Sequence, residues 1–95
     1  MVGFARPLFS LGQCVATPGA LAALEDAGQA ATVFLSRHVN GDWGECDRED
    51  SAANDRALKD GSRIFSVYRT SKGVKIWVIT EADRSSTCIL LPSEY

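Results

Sequence analysis

Short apolar runs separated by polar turns are clearest in the last third of the chain, where they predict three β-strands. Residues 63–70 and 74–80 form two such runs, and the turn Ser71-Lys72-Gly73 between them offers glycine at the left-handed position of a hairpin. A second polar turn leads to a third run, residues 87–91, which ends at Pro92. The pattern therefore predicts an antiparallel meander.

The hairpin turn also sets the register of the first two strands. Thr70 pairs with Val74 in this register, which places Val67 opposite Trp77. One face of the meander then carries Phe65, Val67, Trp77, Ile79, Cys88 and Leu90, and the other carries Ile64, Tyr68, Ile76, Val78, Ile89 and Leu91. Because both faces are apolar, we expect the sheet to be covered on both sides, by helices or by a second copy of the protein.

Helical spacing is the stronger pattern before the meander. The pair Thr17-Pro18 is typical of a helix start and Gly28 of a helix end, which together predict a helix over residues 18–27. Apolar residues at helical spacing predict a second helix over residues 29–39. A third segment, about residues 48–59, has the composition of a polar surface helix with a thin apolar stripe.

These elements predict an α+β fold in which two or three short N-terminal helices pack on a three- to four-stranded antiparallel sheet. Residues 8–16 read as a short strand that extends the sheet, beside either residues 63–70 or residues 87–91. The 95 residues are enough for one domain over residues 1–95 and too few for two.

Cysteine usage and the lack of apolar segments bear on the compartment. The first seven residues do not read as a signal peptide, and no stretch approaches the roughly 20 apolar residues of a membrane helix. Cys14, Cys46 and Cys88 are far apart and odd in number, which suits reduced thiols better than a disulfide framework. We therefore expect a cytoplasmic protein that does not associate with a membrane.

The charge balance argues against direct binding of nucleic acid and draws attention to one acidic segment. Ten basic residues stand against twelve acidic ones, a net charge of −2, whereas nucleic-acid binders usually carry a basic excess. Residues 42–60 hold seven of the acids and three bases. As a protein-binding surface this segment offers Asp42, Trp43, Glu45, Asp47, Glu49, Asp50 and Asp55. The plainer interpretation of these acids is a solvated face.

Two loops carry the residue types that catalysis would need. In the first, His38 has the chemistry of a general base or metal ligand, with Asp42 beside it to orient the imidazole. In the second, Glu81 and Asp83 lie in a polar turn. The plainer interpretation makes His38 an imidazolium at a helix C-terminus and the turn a self-bonded loop. One histidine with scattered carboxylates does not make a metal site, and no cofactor motif occurs, so we expect neither a metal nor a cofactor.

Three sequence blocks together resemble a family of small, mostly uncharacterised bacterial proteins that are loosely called plasmid-related proteins. The blocks are residues 11–13 with 16–21, residues 37–44, and residues 77–85 with 90–92 and 94–95. The most specific parts are His-x-x-Gly-Asp-Trp-Gly, which begins at His38, and Thr-Glu-Ala-Asp-Arg-Ser, which begins at Thr80. The resemblance implies carriage by plasmids, phages or conjugative elements, and it implies no particular activity.

Two classes of function remain open at this stage. The first is a non-enzymatic interaction protein of a mobile genetic element, in its sharper form an anti-CRISPR or anti-restriction inhibitor that binds a host defence complex. The competing class is a small hydrolase or nuclease-like toxin that uses His38, Asp42, Glu81 and Asp83. A plainer alternative is a homodimer built through the open sheet.

Overall fold

The computed structural model describes residues 7–95, which form three α-helices and a four-stranded sheet. In chain order the elements are β1 (Gln13–Ala16), α1 (Pro18–Ala27), α2 (Ala31–Val39), α3 (Arg48–Asp60), β2 (Ile64–Arg69), β3 (Lys75–Thr80), β4 (Ser86–Leu90) and a 3₁₀ turn (Pro92–Glu94). The α+β class is confirmed. The expectation that the chain starts without a signal peptide falls almost entirely on residues 1–6, which lie outside the described residues.

The sheet has the strand order β1-β4-β3-β2, and its pairing departs from the prediction in one respect. β2, β3 and β4 form the antiparallel meander, with Val67 opposite Trp77 as the hairpin turn predicts. β1, however, runs parallel to β4, with Val15 opposite Cys88. The prediction of a purely antiparallel sheet is therefore wrong, because the intervening helices and hairpin bring β4 back in the direction of β1.

Helices α1 and α2 cover one face of the sheet. α1 begins where the Thr17 side chain accepts a hydrogen bond from the Ala20 amide, and it ends at Gly28 in the left-handed conformation. α2 begins at Ala31, two residues later than predicted, and Ala30 makes no side-chain cap there. The core between helices and sheet contains Ala20, Leu24, Phe34, Leu35, Tyr68, Ile76, Val78 and Ile89.

The outer edge of β2 is covered by hydrogen bonds from two directions. The Asn54 side chain in α3 donates to the Phe65 carbonyl at 2.6 Å and accepts from the Phe65 amide at 3.0 Å. Residues 43–45 supply the next pair, because the Val67 amide donates to the Trp43 carbonyl and the Glu45 amide donates to the Val67 carbonyl. α3 is thus attached to the sheet edge by a side chain that imitates a neighbouring strand.

Candidate binding cleft

His38 lies in the core, where it connects all three strands of the meander. Its side chain is fully buried, with Nδ1 at 2.6 Å from Ser66 Oγ and Nε2 at 2.9 Å from Thr80 Oγ1. Thr80 Oγ1 is in turn 2.7 Å from Thr87 Oγ1, which donates to the Leu11 carbonyl at 2.7 Å. Burial lowers the pKa of His38 from its usual 6.5 to about 4, so the imidazole is neutral at pH 7.

The direction of these hydrogen bonds determines the tautomer of His38. A carbonyl only accepts hydrogen bonds, so the Thr87 hydroxyl donates its single proton to the Leu11 carbonyl and must accept from the Thr80 hydroxyl. Thr80 has then used its own proton and accepts from His38 Nε2–H, which leaves Nδ1 to accept from Ser66. Each donor and acceptor in this series of hydrogen bonds therefore has a partner. This arrangement makes His38 a neutral bridge between strands rather than the imidazolium of the plainer interpretation.

The structure does not bring the other proposed catalytic residues to His38. Asp42 pairs with Arg37, whose Nε lies 2.7 Å from Asp42 Oδ2, and this hydrogen bond lowers the pKa of the carboxyl. Glu81 is exposed in the turn after β3, and Asp83 accepts a hydrogen bond from the Ser85 amide within the same turn. The hydrogen-bonding partners of the imidazole are hydroxyl groups, and none of the three carboxylates is among them.

Arg84 holds the turn after β3 against α3. It is the non-glycine residue with a positive φ, 60°, in the described part of the chain. Its guanidinium donates to the Ser62 carbonyl at 2.6 Å and to the Ala57 carbonyl at 3.0 Å, at the C-terminal end of α3. The Ala57 carbonyl also accepts from the Gly61 amide, so the guanidinium adds a second, charged donor at the helix end, where the dipole favours a cation. The turn that bears Glu81 and Asp83 therefore has a structural function of its own.

Most of the proposed acidic binding surface is occupied by contacts within the chain. Two of the acids form ion pairs, Asp42 with Arg37 and Glu45 with Arg69. Asp47 caps α3 by accepting a hydrogen bond from the Asp50 amide. Trp43 is only 7% exposed, and its Nε1 donates to Asp55 at 3.1 Å. Within residues 7–95, the carboxylates of Glu49 and Asp50 accept no hydrogen bond and form no ion pair. These two side chains are the part of the acidic segment that is available to a partner.

A cleft of about 360 Å³ lies on the face of the sheet that α1 and α2 leave open. Its floor consists of Phe65, Trp77 and Ile79, whose side chains share that face through the register of β2 and β3. α3 forms one wall with Asp50 and Ala53, which are three residues apart and so lie on one side of the helix. The volume is within the range of small-ligand and side-chain pockets.

Arg63 and Tyr95 form the opposite wall of this aromatic cleft. Arg63 Nη1 donates to the Tyr95 hydroxyl at 3.0 Å, and the Tyr95 ring lies edge-on to Trp77 with centroids 5.7 Å apart. Glu94 fixes the adjoining 3₁₀ turn by accepting from the Gly19 amide at 2.9 Å at the start of α1. Tyr95 nevertheless stays 69% exposed.

Sequence reasoning did not assign Arg63 or Tyr95 to any site. The aromatic floor was visible as one apolar face of the meander, with Phe65 and Trp77 on it. The wall formed by Arg63 and Tyr95 was not visible in the sequence, because Tyr95 is positioned by the contact of the preceding Glu94 with the start of α1. For the α3 side of the cleft the sequence did hold a signal: Asp50 and Ala53 are three residues apart on a helix whose buried side also carries Asn54.

The described residues show no arrangement that holds a metal ion or crosses a membrane. Within residues 7–95, no group of three or more His, Cys, Asp and Glu side chains is placed to bind a metal. No helix in the same range is long and apolar enough to span a bilayer. The thiols of Cys14, Cys46 and Cys88 are free, and burial raises the pKa of each, which disfavours the reactive thiolate.

Comparisons with known proteins add no family to these observations. The sequence matches no protein-family profile, no curated protein and no solved structure. The resemblance to plasmid-related proteins therefore stays a prediction.

Proposed function

We propose that this protein is a non-enzymatic binding protein that holds a segment of a partner protein in the aromatic cleft. The observation that carries the proposal is the free carboxylate of Asp50 beside an incompletely covered aromatic floor. Phe65 on the edge strand β2 and Trp77 on the inner strand β3 are both only partly buried, and both line the cleft. Partly covered aromatic rings next to a few polar groups are typical of protein interfaces.

The chemistry of the cleft selects a partner segment that combines an apolar or aromatic side chain with a basic one. The apolar group packs on Phe65 and Trp77. A lysine or arginine of the partner meets the Asp50 carboxylate and the faces of the aromatic rings. Arg63 uses one N–H on Tyr95. Its other donors have no hydrogen-bond partner among residues 7–95 and can reach a carbonyl or carboxylate of the partner.

The first turn of α3 adds charge to the same side of the site. Glu49 and Asp50 follow each other at the N-terminus of the helix, where negative charge is favoured by the helix dipole. The two carboxylates attract a basic segment over several ångströms. The proposed order of events is electrostatic attraction to α3 followed by packing of the apolar side chain in the cleft.

The proposed biological setting is a mobile genetic element in a bacterial cytoplasm. The three sequence blocks that resemble plasmid-related proteins support the setting, and the free thiols support a reducing compartment. In this setting we propose a host defence complex, of the CRISPR or restriction type, as the partner, with this protein as its inhibitor. Purification of the tagged protein from a bacterial lysate tests the setting, and co-purification of a nuclease complex in stoichiometric amount is the expected result.

Selection from a random peptide library displayed on phage tests the cleft itself. We expect the immobilised protein to enrich peptides that place Lys or Arg within a few residues of Trp, Phe or Leu. The control is Ala53→Arg, which fills the cleft from an exposed position on α3 and leaves the buried contacts of Asn54 in place. Folding of the control is verified by circular dichroism and thermal denaturation.

Two results would refute the proposal. One is the absence of any enriched motif against the wild-type protein. The other is equal enrichment of the same motif by the Ala53→Arg variant, which would place the binding surface elsewhere on the molecule.

A further inference from the structure

The two edges of the sheet differ in how their outward-facing main-chain groups are paired. At the β2 edge, the main-chain groups of Phe65 and Val67 are paired by Asn54 and by residues 43–45. No comparable cover lies on β1 at the other edge: within the described residues its only strand neighbour is β4. Proteins normally protect an edge strand, because its free N–H and C=O groups pair with other chains.

Within residues 7–95, the main-chain groups of β1 that have no hydrogen-bond partner belong to two residues. The Gln13 amide donates to the Ser85 carbonyl and the Thr17 amide donates to the Ile89 carbonyl, so the odd-numbered residues bond to β4. Residues alternate in direction along a strand, and the N–H and C=O of Cys14 and Ala16 therefore point away from the sheet. Cys14 is exposed and Val15 is 45% exposed.

β1 itself, Gln13–Ala16, carries no charged side chain of the kind that usually protects such an edge, and the carboxylate next to its C-terminal end, Glu94, accepts hydrogen bonds from Thr17 and Gly19. Between Pro7 and Ser36 the only charged residues are Glu25 and Asp26, which lie at the far end of α1 from β1. Apolar side chains take the place of charges. Of the five large apolar side chains that stay exposed in the described residues, Val15 and Leu21 line one groove beside this edge.

We propose that β1 pairs with β1 of a second copy of this protein, in antiparallel orientation about a two-fold axis at Val15. Cys14 then faces Ala16 of the other copy, and the two such pairs supply about four main-chain hydrogen bonds. The arrangement joins two four-stranded sheets into one continuous sheet. It is independent of the aromatic cleft, which lies on one face and toward the opposite edge.

A second copy fits this edge because the edge is complementary to itself. The residues with free main-chain groups, Cys14 and Ala16, are placed symmetrically about Val15, as a two-fold axis requires. The paired strands bring no charged side chain of their own to each other, so their pairing places no unpaired charge opposite another strand. A groove of about 260 Å³ beside the strand, lined by Leu21 and Leu35 among others, accepts apolar atoms from the second copy.

Measurement of the molar mass by light scattering tests the association. We expect twice the 10.2 kDa of one chain for the wild-type protein. Val15→Lys places two like charges opposite each other at the axis and should return the protein to the monomer with an unchanged circular dichroism spectrum. Leu8→Lys is the matched control: Leu8 is similarly exposed, at 52%, and lies outside β1, so this variant should remain dimeric.

Cross-linking tests the register. In the proposed pairing the two Val15 residues form a non-hydrogen-bonded pair with Cα atoms about 4.5 Å apart, a distance that a disulfide bridges. Val15→Cys in a Cys14→Ser background should therefore form a covalent dimer on mild oxidation. Gln13→Cys in the same background should not, because its Cα atoms would be about 13 Å apart along the strands.

A monomeric wild-type protein up to about 1 mM would overturn the proposal, and so would a Val15→Lys variant that stays dimeric. Hydrogen exchange at the Cys14 and Ala16 amides then identifies the true arrangement. Slow exchange in a monomer would mean that another segment of the same chain covers the edge. Fast exchange in a monomer would mean that the β1 edge is open in the isolated protein, and a strand of a different protein would then be the remaining partner for it.

Discussion

The buried imidazole of His38 makes stability depend on pH in a predictable direction. In the unfolded chain the imidazole takes up a proton near pH 6.5, whereas in the folded protein its pKa is about 4. Between these two values the unfolded state binds more protons, so the free energy of unfolding falls as the pH falls. The contribution is fully present above pH 6.5 and is lost on acidification toward pH 4.

The size of the effect follows from the two pKa values. A difference of 2.5 units corresponds to about 3 kcal/mol over the whole range, of which about 2 kcal/mol is lost between pH 7 and pH 5. For a domain of this length a loss of 2 kcal/mol lowers the melting temperature by about 10 °C. His38 is the single histidine of the chain, and histidine is the side chain that ordinarily titrates between pH 5 and pH 7, so this range isolates it.

Urea denaturation at pH 7 and pH 5 measures the loss, and His38→Gln is the control because it removes the titrating group. We expect this variant to be less stable at pH 7 and nearly insensitive to pH over the same range. NMR of the wild-type protein adds a test that needs no variant: it should show a neutral imidazole protonated at Nε2. The reasoning fails if wild-type stability is flat between pH 7 and pH 5, or if the Gln variant shows the same loss.

Two further predictions concern the covered edge of β2. Gly44→Ala should destabilise the fold by about 2 kcal/mol or more, because a Cβ at φ 73° would lie 2.0 Å from the Val67 carbonyl oxygen. The control Gly73→Ala, at φ 82° with open space around it, should cost about 1 kcal/mol. Equal losses for the two variants in chemical denaturation would contradict the account. Asn54→Leu should cost about 2 kcal/mol, because it leaves the Phe65 amide unpaired and leaves the Phe65 carbonyl with the weak Cys46 thiol as its donor. A smaller loss in urea denaturation than that of the exposed Ala53→Leu would show that the edge does not need this side chain.

Local signals predicted most of the elements because their causes are local. The Thr17 cap and Gly28 define α1 within one stretch of chain, and the turn at Gly73 sets the register of β2 and β3 by itself. The parallel pairing of β1 with β4 has no local cause: it depends on the path of the helices and the hairpin between them. Sequence reasoning therefore left open which edge β1 joins.

The core network and the cleft show two reasons why a site escapes sequence reasoning. Ser66, Thr80 and Thr87 occupy inward positions of the period-two pattern, so the polar layer around His38 was visible in the sequence as three interruptions of an apolar face. The cleft, in contrast, needs α3 held against Phe65 by the Asn54 side chain. A side chain that imitates a strand leaves no periodic signal.

The most direct test of the aromatic cleft compares two charge reversals that are one residue apart. Asp50 lines the cleft, and Glu49 shares its charge and exposure on the same helical turn without lining it. With a peptide selected against the wild-type protein, we predict that Asp50→Lys weakens binding by about tenfold or more, which corresponds to the loss of one charge-assisted hydrogen bond, and that Glu49→Lys weakens it less than about threefold. Equal losses would assign binding to the acidic helix face in general, and an unchanged dissociation constant for Asp50→Lys would contradict the proposed site.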